Sequence, residues 1–187
     1  MGEVADRLAA LTVRVSSPDG NVRATVKAGL LESVRFRPGA YADYTEDGLA
    51  WQIGRAATLL YVGHERGVAQ IMREAGLNRR KDPAQARDEA ERRYLEKVFT
   101  IPATATGPRG QVRLSTVGML SWACRIKTGA LALLREDEFV AEAGATAGEI
   151  LRRTAYEAAL LKDECFGLNL PDLAEERRRR RERAGRG

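Results

Sequence analysis

The sequence predicts an α+β protein built from two copies of one small module, each a short three-stranded antiparallel sheet followed by a long helix. One observation is an internal repeat: DGNVRATVKAGLLESVRFRPGA, which starts at Asp19, recurs as RGQVRLSTVGMLSWACRIKTGA from Arg109. Gly20 matches Gly110, which sets the offset at 90 residues. The other is that twofold alternation of apolar residues changes to helical spacing after each repeated segment.

A period near 90 residues is too long for a solenoid repeat and long enough for a small folding unit. Two similar halves usually pack across a pseudo-twofold axis, as a homodimer does. We therefore expect an intramolecular pseudo-dimer with a common interior. Its parts are a first module at residues 1–80, a second module with a leading charged helix at 81–174, and an arginine-rich tail at 175–187.

The first half contains signals for a short helix, a three-stranded meander and a long helix. The predicted elements are a helix at residues 2–10, strands at 11–17, 22–27 and 30–37, and a helix from about Thr45 to Ala75. Each strand carries apolar side chains on one face only. Thr45 is a plausible helix N-cap. Pro and Gly at the strand ends favour turns.

The second half repeats this order. The predicted elements are a charged helix from Asp82 to about Val98, strands at 99–104, 111–116 and 119–127, and a helix from about Arg135 to Phe166. The offset slips to 89 at Gly29/Gly118, which predicts that the second hairpin is one residue shorter. A stop at Gly167 is typical of a helix C-terminus.

Glycines at positions 54, 63 and 67 weaken the first long helix. Gly54 recurs as Gly144, which favours a site of close packing at both positions. At Gly63 and Gly67, close packing and an imperfect surface helix are equally open interpretations, since glycine inside a helix costs about 1 kcal/mol relative to alanine.

Composition excludes several classes. The sequence has no run of eighteen apolar residues and no secretory signal pattern at its start, so we expect a cytoplasmic protein without a membrane span. Cys124 and Cys165 are expected to be buried free thiols rather than a disulfide. The net charge is +5, and the tail holds seven arginines against three glutamates, which leaves the body nearly neutral.

Catalytic signals are absent. His64 is the only histidine, and no nucleophile, phosphate-loop, dinucleotide or zinc motif occurs. We therefore expect no enzyme activity, no cofactor and no metal. A deep pocket around His64 is the observation that would favour an enzyme.

Basic residues recur on the polar faces of the predicted strands. They are Arg23, Arg35 and Arg37 in the first copy, and Arg113, Arg125 and Lys127 in the second. Such residues can contact DNA phosphates, or they can simply keep a sheet face solvated. The tail adds Arg177, Arg178, Arg179, Arg180 and Arg181, which suit either an anchor on a polyanion or a solubilising terminus.

Each copy resembles the module of the YbaB/EbfC family, in which a leading helix precedes three short strands and a long alanine-rich helix. The residues that carry the resemblance are Asp19–Val26, Arg109–Ser115, the turns at Gly29 and Gly118, Val34–Phe36 and Cys124–Ile126. It covers nearly the whole chain outside the tail. The LNLP segment at 168–171 and the Gly, Arg and Ala content resemble those of actinobacterial YbaB-like proteins, some of which sit in type VII secretion loci.

The resemblance implies a nucleoid-associated protein that binds double-stranded DNA through its phosphate backbone, largely independently of base sequence. Family members bind as homodimers whose leading helices project like tweezers. The alternative hypothesis is a protein-interaction adaptor without DNA binding, for example one associated with type VII secretion. Its partner surface would be the long helices or the GLNLP segment. The residues leave open whether the pseudo-dimer pairs again.

Overall fold

Two three-stranded antiparallel sheets and two long helices make up an α+β fold. The structure, a computed structural model, describes residues 2–77 and 81–173 together with residues 175, 178 and 179. The elements of the first half are α1 Gly2–Ala10, β1 Thr12–Ser16, β2 Val22–Lys27, β3 Leu30–Phe36 and α2 Glu46–Glu74. Those of the second half are α3 Glu89–Val98, β4 Pro102–Thr106, β5 Val112–Val117, β6 Ser121–Ile126, α4 Ala130–Leu133 and α5 Glu136–Phe166. The predicted order of elements is confirmed in both halves.

The ends of the long helices follow the local signals. The Thr45 side chain accepts a hydrogen bond from the Gly48 amide at 3.1 Å, which caps α2 as predicted. α5 ends at Phe166, where Gly167 adopts a left-handed conformation with φ 61°. That conformation is nearly free of cost only for glycine.

The charged helix of the second half starts later than predicted. Residues Pro83–Gln85 form a separate 3₁₀ turn, and α3 begins only at Glu89. Asp88 is extended and accepts a hydrogen bond from the Glu91 amide at 2.8 Å, so it acts as the N-cap. α1 and α3 are consequently of similar length, at 9 and 10 residues.

β4 also starts later than the predicted 99–104, because pairing begins at Pro102. Proline lacks the amide donor of a central strand, and β4 lies at the edge of its sheet, where such a residue is tolerated.

The two hairpins differ in their loops and not in their lengths. β2 and β3 are joined by two residues, Ala28 and Gly29, and a bulge leaves Glu32 without a partner. β5 and β6 are joined by the three residues 118–120 without a bulge. The predicted shorter second hairpin is therefore wrong: its loop is one residue longer, and the bulge in β3 compensates.

One hydrophobic core draws on both halves. Leu49 of α2 and Phe139 of α5 occupy equivalent positions, and both are fully buried. The Phe139 ring lies 6.1 Å from that of Phe36 and 5.6 Å from that of Tyr41. The Tyr41 hydroxyl donates to the Leu134 carbonyl at 3.0 Å. In addition to its own sheet, α2 packs on β6 and α5 packs on β3, so each sheet is covered partly by the helix of the other half.

The helix glycines divide into packed and open positions. A Cβ at Gly54 would lie 3.3 Å from the Trp122 carbonyl oxygen, which confirms close packing of α2 on β6. Gly144 has no atom within 4 Å of its Cβ position, so the expectation of close packing there is wrong. Gly63 and Gly67 contact the first strand region, because their Cβ positions would lie 2.7 Å from Val13 and 2.6 Å from Leu11.

A helix side chain holds the first strand turn of each half. In the second half, the buried Glu142 carboxylate accepts hydrogen bonds at 3.0 Å from the amides of Arg109 and Gln111. In the first half, Gln52 at the equivalent position accepts one from Asp19 at 3.4 Å. Both halves therefore have a hydrogen bond from this turn to the long helix, and the second half has two shorter ones.

Glu142→Ala is expected to lower the free energy of unfolding by about 2 kcal/mol, since two partly buried amides lose their acceptor. Gln52→Ala is the matched control and should change it by less than about 0.5 kcal/mol. Urea unfolding followed by circular dichroism measures both. Equal losses in the two variants would contradict this difference between the halves.

The duplicated loop glycines should respond differently to alanine. Gly29 and Gly118 have φ of 79° and 57°, so Gly29→Ala should cost about 1–2 kcal/mol. A Cβ at Gly118 would lie 1.9 Å from the Phe99 carbonyl oxygen, so Gly118→Ala should cost more than about 3 kcal/mol. The same urea assay decides; indistinguishable midpoints would refute the tight contact at Gly118.

Candidate functional site

The outer face of the first sheet carries a pair of opposed arginines. Arg23 in β2 lies directly across from Arg35 in β3, and both are exposed. Their neighbours Val22 and Phe36 are buried, so alternation along the strands fixes the outward direction of both arginines.

The second sheet repeats this arrangement. Arg113 in β5 lies directly across from Arg125 in β6, and both are exposed. We call Arg23/Arg35 and Arg113/Arg125 the basic pairs. Like charges directly opposite each other destabilise a sheet. The structure places this unfavourable pairing at the same register position in both sheets.

A third cation follows each pair along the chain. Arg37 and Lys127 lie just beyond β3 and β6, with exposed side chains. Their amides donate to the carbonyls of Asn21 and Gln111 at 2.7 and 2.9 Å, which fixes the backbone beside each basic pair. The structure thus groups the predicted residues as three cations on each sheet.

Within the described part of the chain, the side chains of these six cations make no ion pair or hydrogen bond. Some arginines outside the strands are paired instead. Arg152 and Arg153 both pair with Glu149, at 2.7 and 2.6 Å, and Arg109 pairs with Glu138 at 2.9 Å. The unpaired cations of the sheets are therefore available to an external anion.

The predicted tail site is only partly described. Arg178 and Arg179 are helical and exposed, and Arg179 forms an ion pair with Glu175. Arg177, Arg180 and Arg181 lie outside the described residues.

A cavity of about 270 Å³ lies between the halves. Its walls come from β2, β3 and α2 of the first half and from β5, β6 and α5 of the second. Tyr61, His64 and Glu65 are its polar lining residues among those described, and the rest of the lining is apolar. Glu65 is engaged in an ion pair with Lys81. The sequence pointed to His64 but not to the apolar cavity beside it.

Among the described residues, the lining of this cavity contains no serine, threonine or cysteine, and its hydroxyl group belongs to Tyr61. Both cysteines are free, as predicted, although each is half-buried rather than buried. Burial raises the pKa of Cys124 to about 12, so this thiol is protonated at neutral pH.

Other site types leave no trace among residues 2–77 and 81–173. The residues in these ranges form no cluster of three or more His, Cys, Asp or Glu side chains that could bind a metal ion. Within the same ranges, every helix is too short or too polar to cross a bilayer. Comparison of the chain with protein-family models, with curated proteins and with solved structures finds no match.

Proposed function

We propose that the protein binds the phosphate backbone of double-stranded DNA, largely independently of base sequence, through the basic pairs with Arg37 and Lys127. The observation that carries the proposal is the recurrence of directly opposed, unpaired arginines at equivalent positions in both sheets. An anion between the two arginines of a pair converts their repulsion into attraction.

Arginine suits this role because its planar guanidinium presents forked donors that match a phosphate group. Each pair offers two such forks from adjacent strands. The spacing of cross-strand neighbours, about 5 Å between Cβ atoms, lets both reach one phosphate or two consecutive ones.

Contacts to phosphates set affinity and position but carry no base information. The proposed site consists of cations on exposed sheet faces. The expected dissociation constant is that of non-specific complexes, about 10⁻⁴ to 10⁻⁶ M at physiological salt.

The resemblance to the YbaB/EbfC module supports the same reading. The order of helix, three strands and long helix in each half, and the joint core, are what two such modules fused as a pseudo-dimer require. A location on the bacterial nucleoid in the cytoplasm and the absence of enzyme activity are part of this proposal.

One observation favours an adaptor as the second candidate. Leu168 and Leu170 of the GLNLP segment are 47% and 39% exposed. The Leu170 amide donates to the buried Asp163 carboxylate at 2.8 Å, so the segment is held in place. Two fixed, exposed leucines suit a protein partner.

The test of DNA binding compares charge-matched double variants by fluorescence anisotropy, on two short duplexes of unrelated sequence and across about 50 to 200 mM salt. Arg23→Gln/Arg35→Gln and Arg113→Gln/Arg125→Gln should each weaken binding about tenfold and reduce the salt slope by about two. The control Arg152→Gln/Arg153→Gln removes the same charge from α5 and should change affinity less than about twofold.

A chain ending at Leu173 separates the sheets from the tail and should keep the salt slope of the sheets. The proposal fails if binding does not depend on salt, if the control loses as much affinity as the sheet variants, or if removing the tail abolishes binding. A stable protein partner captured without DNA binding, and lost in Leu168→Ser/Leu170→Ser, would favour the adaptor.

A further inference from the structure

The two halves do not pack alike around their shared interior. α2 contacts the backbone of β6 at Gly54, whereas the equivalent Gly144 of α5 has open space around its Cβ position. Part of the cavity lies between α5 and the first sheet. Ala143 and Ala147 of α5 line one side of it, and Leu31 and Val34 of β3 line the other. Around Ala143 and Ala147, the packing of α5 against the first sheet leaves space unfilled.

A difference in side-chain size enlarges the same space. Ala24 pairs with Val34 in the first sheet, and Leu114 pairs with Cys124 at the equivalent place in the second. Ala24 and Leu114 are both buried, and both line the cavity. The first half therefore lacks the side-chain volume that the second half supplies.

We propose that this cavity binds one small, uncharged, apolar molecule, such as a fused-ring aromatic. Mostly apolar clefts with a few polar groups are typical of ligand sites. An apolar cavity of about 150 Å³ holds one benzene molecule, so by proportion 270 Å³ holds roughly ten to twelve non-hydrogen atoms.

The border of the cavity argues for an uncharged ligand. Glu65 is partly exposed there, and its charge is balanced by Lys81. A charged molecule would lose its hydration among apolar walls without gaining an unpaired partner from Glu65. Tyr61 and His64 are also partly exposed.

The volume also limits the occupant. A cavity of this size admits at most one or two large side chains of a partner, and cannot hold a helix or a strand of a second copy. A small molecule matches the space, and the binding does not depend on DNA.

The test uses 2-fluoronaphthalene, followed by ¹⁹F NMR and by the thermal midpoint of the full chain. The unmodified protein should bind one probe per chain, with a raised midpoint. Ala24→Leu copies the residue that stands at Leu114 and should weaken binding at least about tenfold by filling the space. Ala145→Leu makes the same change at an exposed position of α5 and should leave binding within about twofold.

Ala57→Leu fills the cavity from the side of α2. It replaces Ala24→Leu in this test if the Ala24→Leu variant does not fold. The charged analogue 2-naphthoate should bind at least about tenfold more weakly than the uncharged probe. The proposal is overturned by the absence of saturable binding, by binding that survives in a folded filled variant, or by tighter binding of 2-naphthoate.

Discussion

The joint core is the constraint on which the rest of this structure depends. Each long helix covers its own sheet and also a strand of the other half, and Phe139 of the second half lies among aromatic rings of the first. Burying one such side chain contributes about 1.5–3 kcal/mol. Much of that contribution exists only when both halves are folded together. Hydrogen bonds such as Gly129 to the Glu46 carboxylate, at 2.9 Å, join the halves as well.

Both candidate sites follow from this packing. Because the inner faces of the sheets are committed to a common interior, alternation sends every second strand residue to the outer faces, where the basic pairs stand opposed. The interior is closely packed at Gly54 and stays open beside Ala24, where the second half has the larger Leu114. The outer faces of the two sheets thus carry equivalent residues in both halves, whereas the residues that line the cavity differ between the halves.

Sequence patterns predicted the parts of the fold that local signals govern. The cap at Thr45, the stop at Gly167 and the alternation around Val22 and Val112 each act within a few residues, and each was recognisable. The outward direction of the predicted sheet cations follows from the same alternation. Asp88 was a missed local signal, since an Asp three residues before Glu91 is a typical helix start.

Features that depend on distant contacts were not predictable. The loop between β5 and β6 is one residue longer than the loop between β2 and β3, and the bulge at Glu32 compensates for this difference. The offset of the repeat alone gives the opposite order of hairpin lengths. The cavity depends on the distance of α5 from the first sheet, and only the Ala24/Leu114 difference hinted at it. Glu142 looked like an ordinary helix carboxylate, because its amide partners lie 31 and 33 residues away.

The most direct test of the joint core is native-state hydrogen exchange of the intact chain under increasing denaturant. The slowest amides of β2 and α2 and those of β5 and α5 should all exchange with one free energy of opening, equal to that of global unfolding. Their dependence on denaturant should also be the same. If one half opened at a distinctly lower free energy and with a smaller denaturant dependence, the halves would be independent folding units and the account would be wrong.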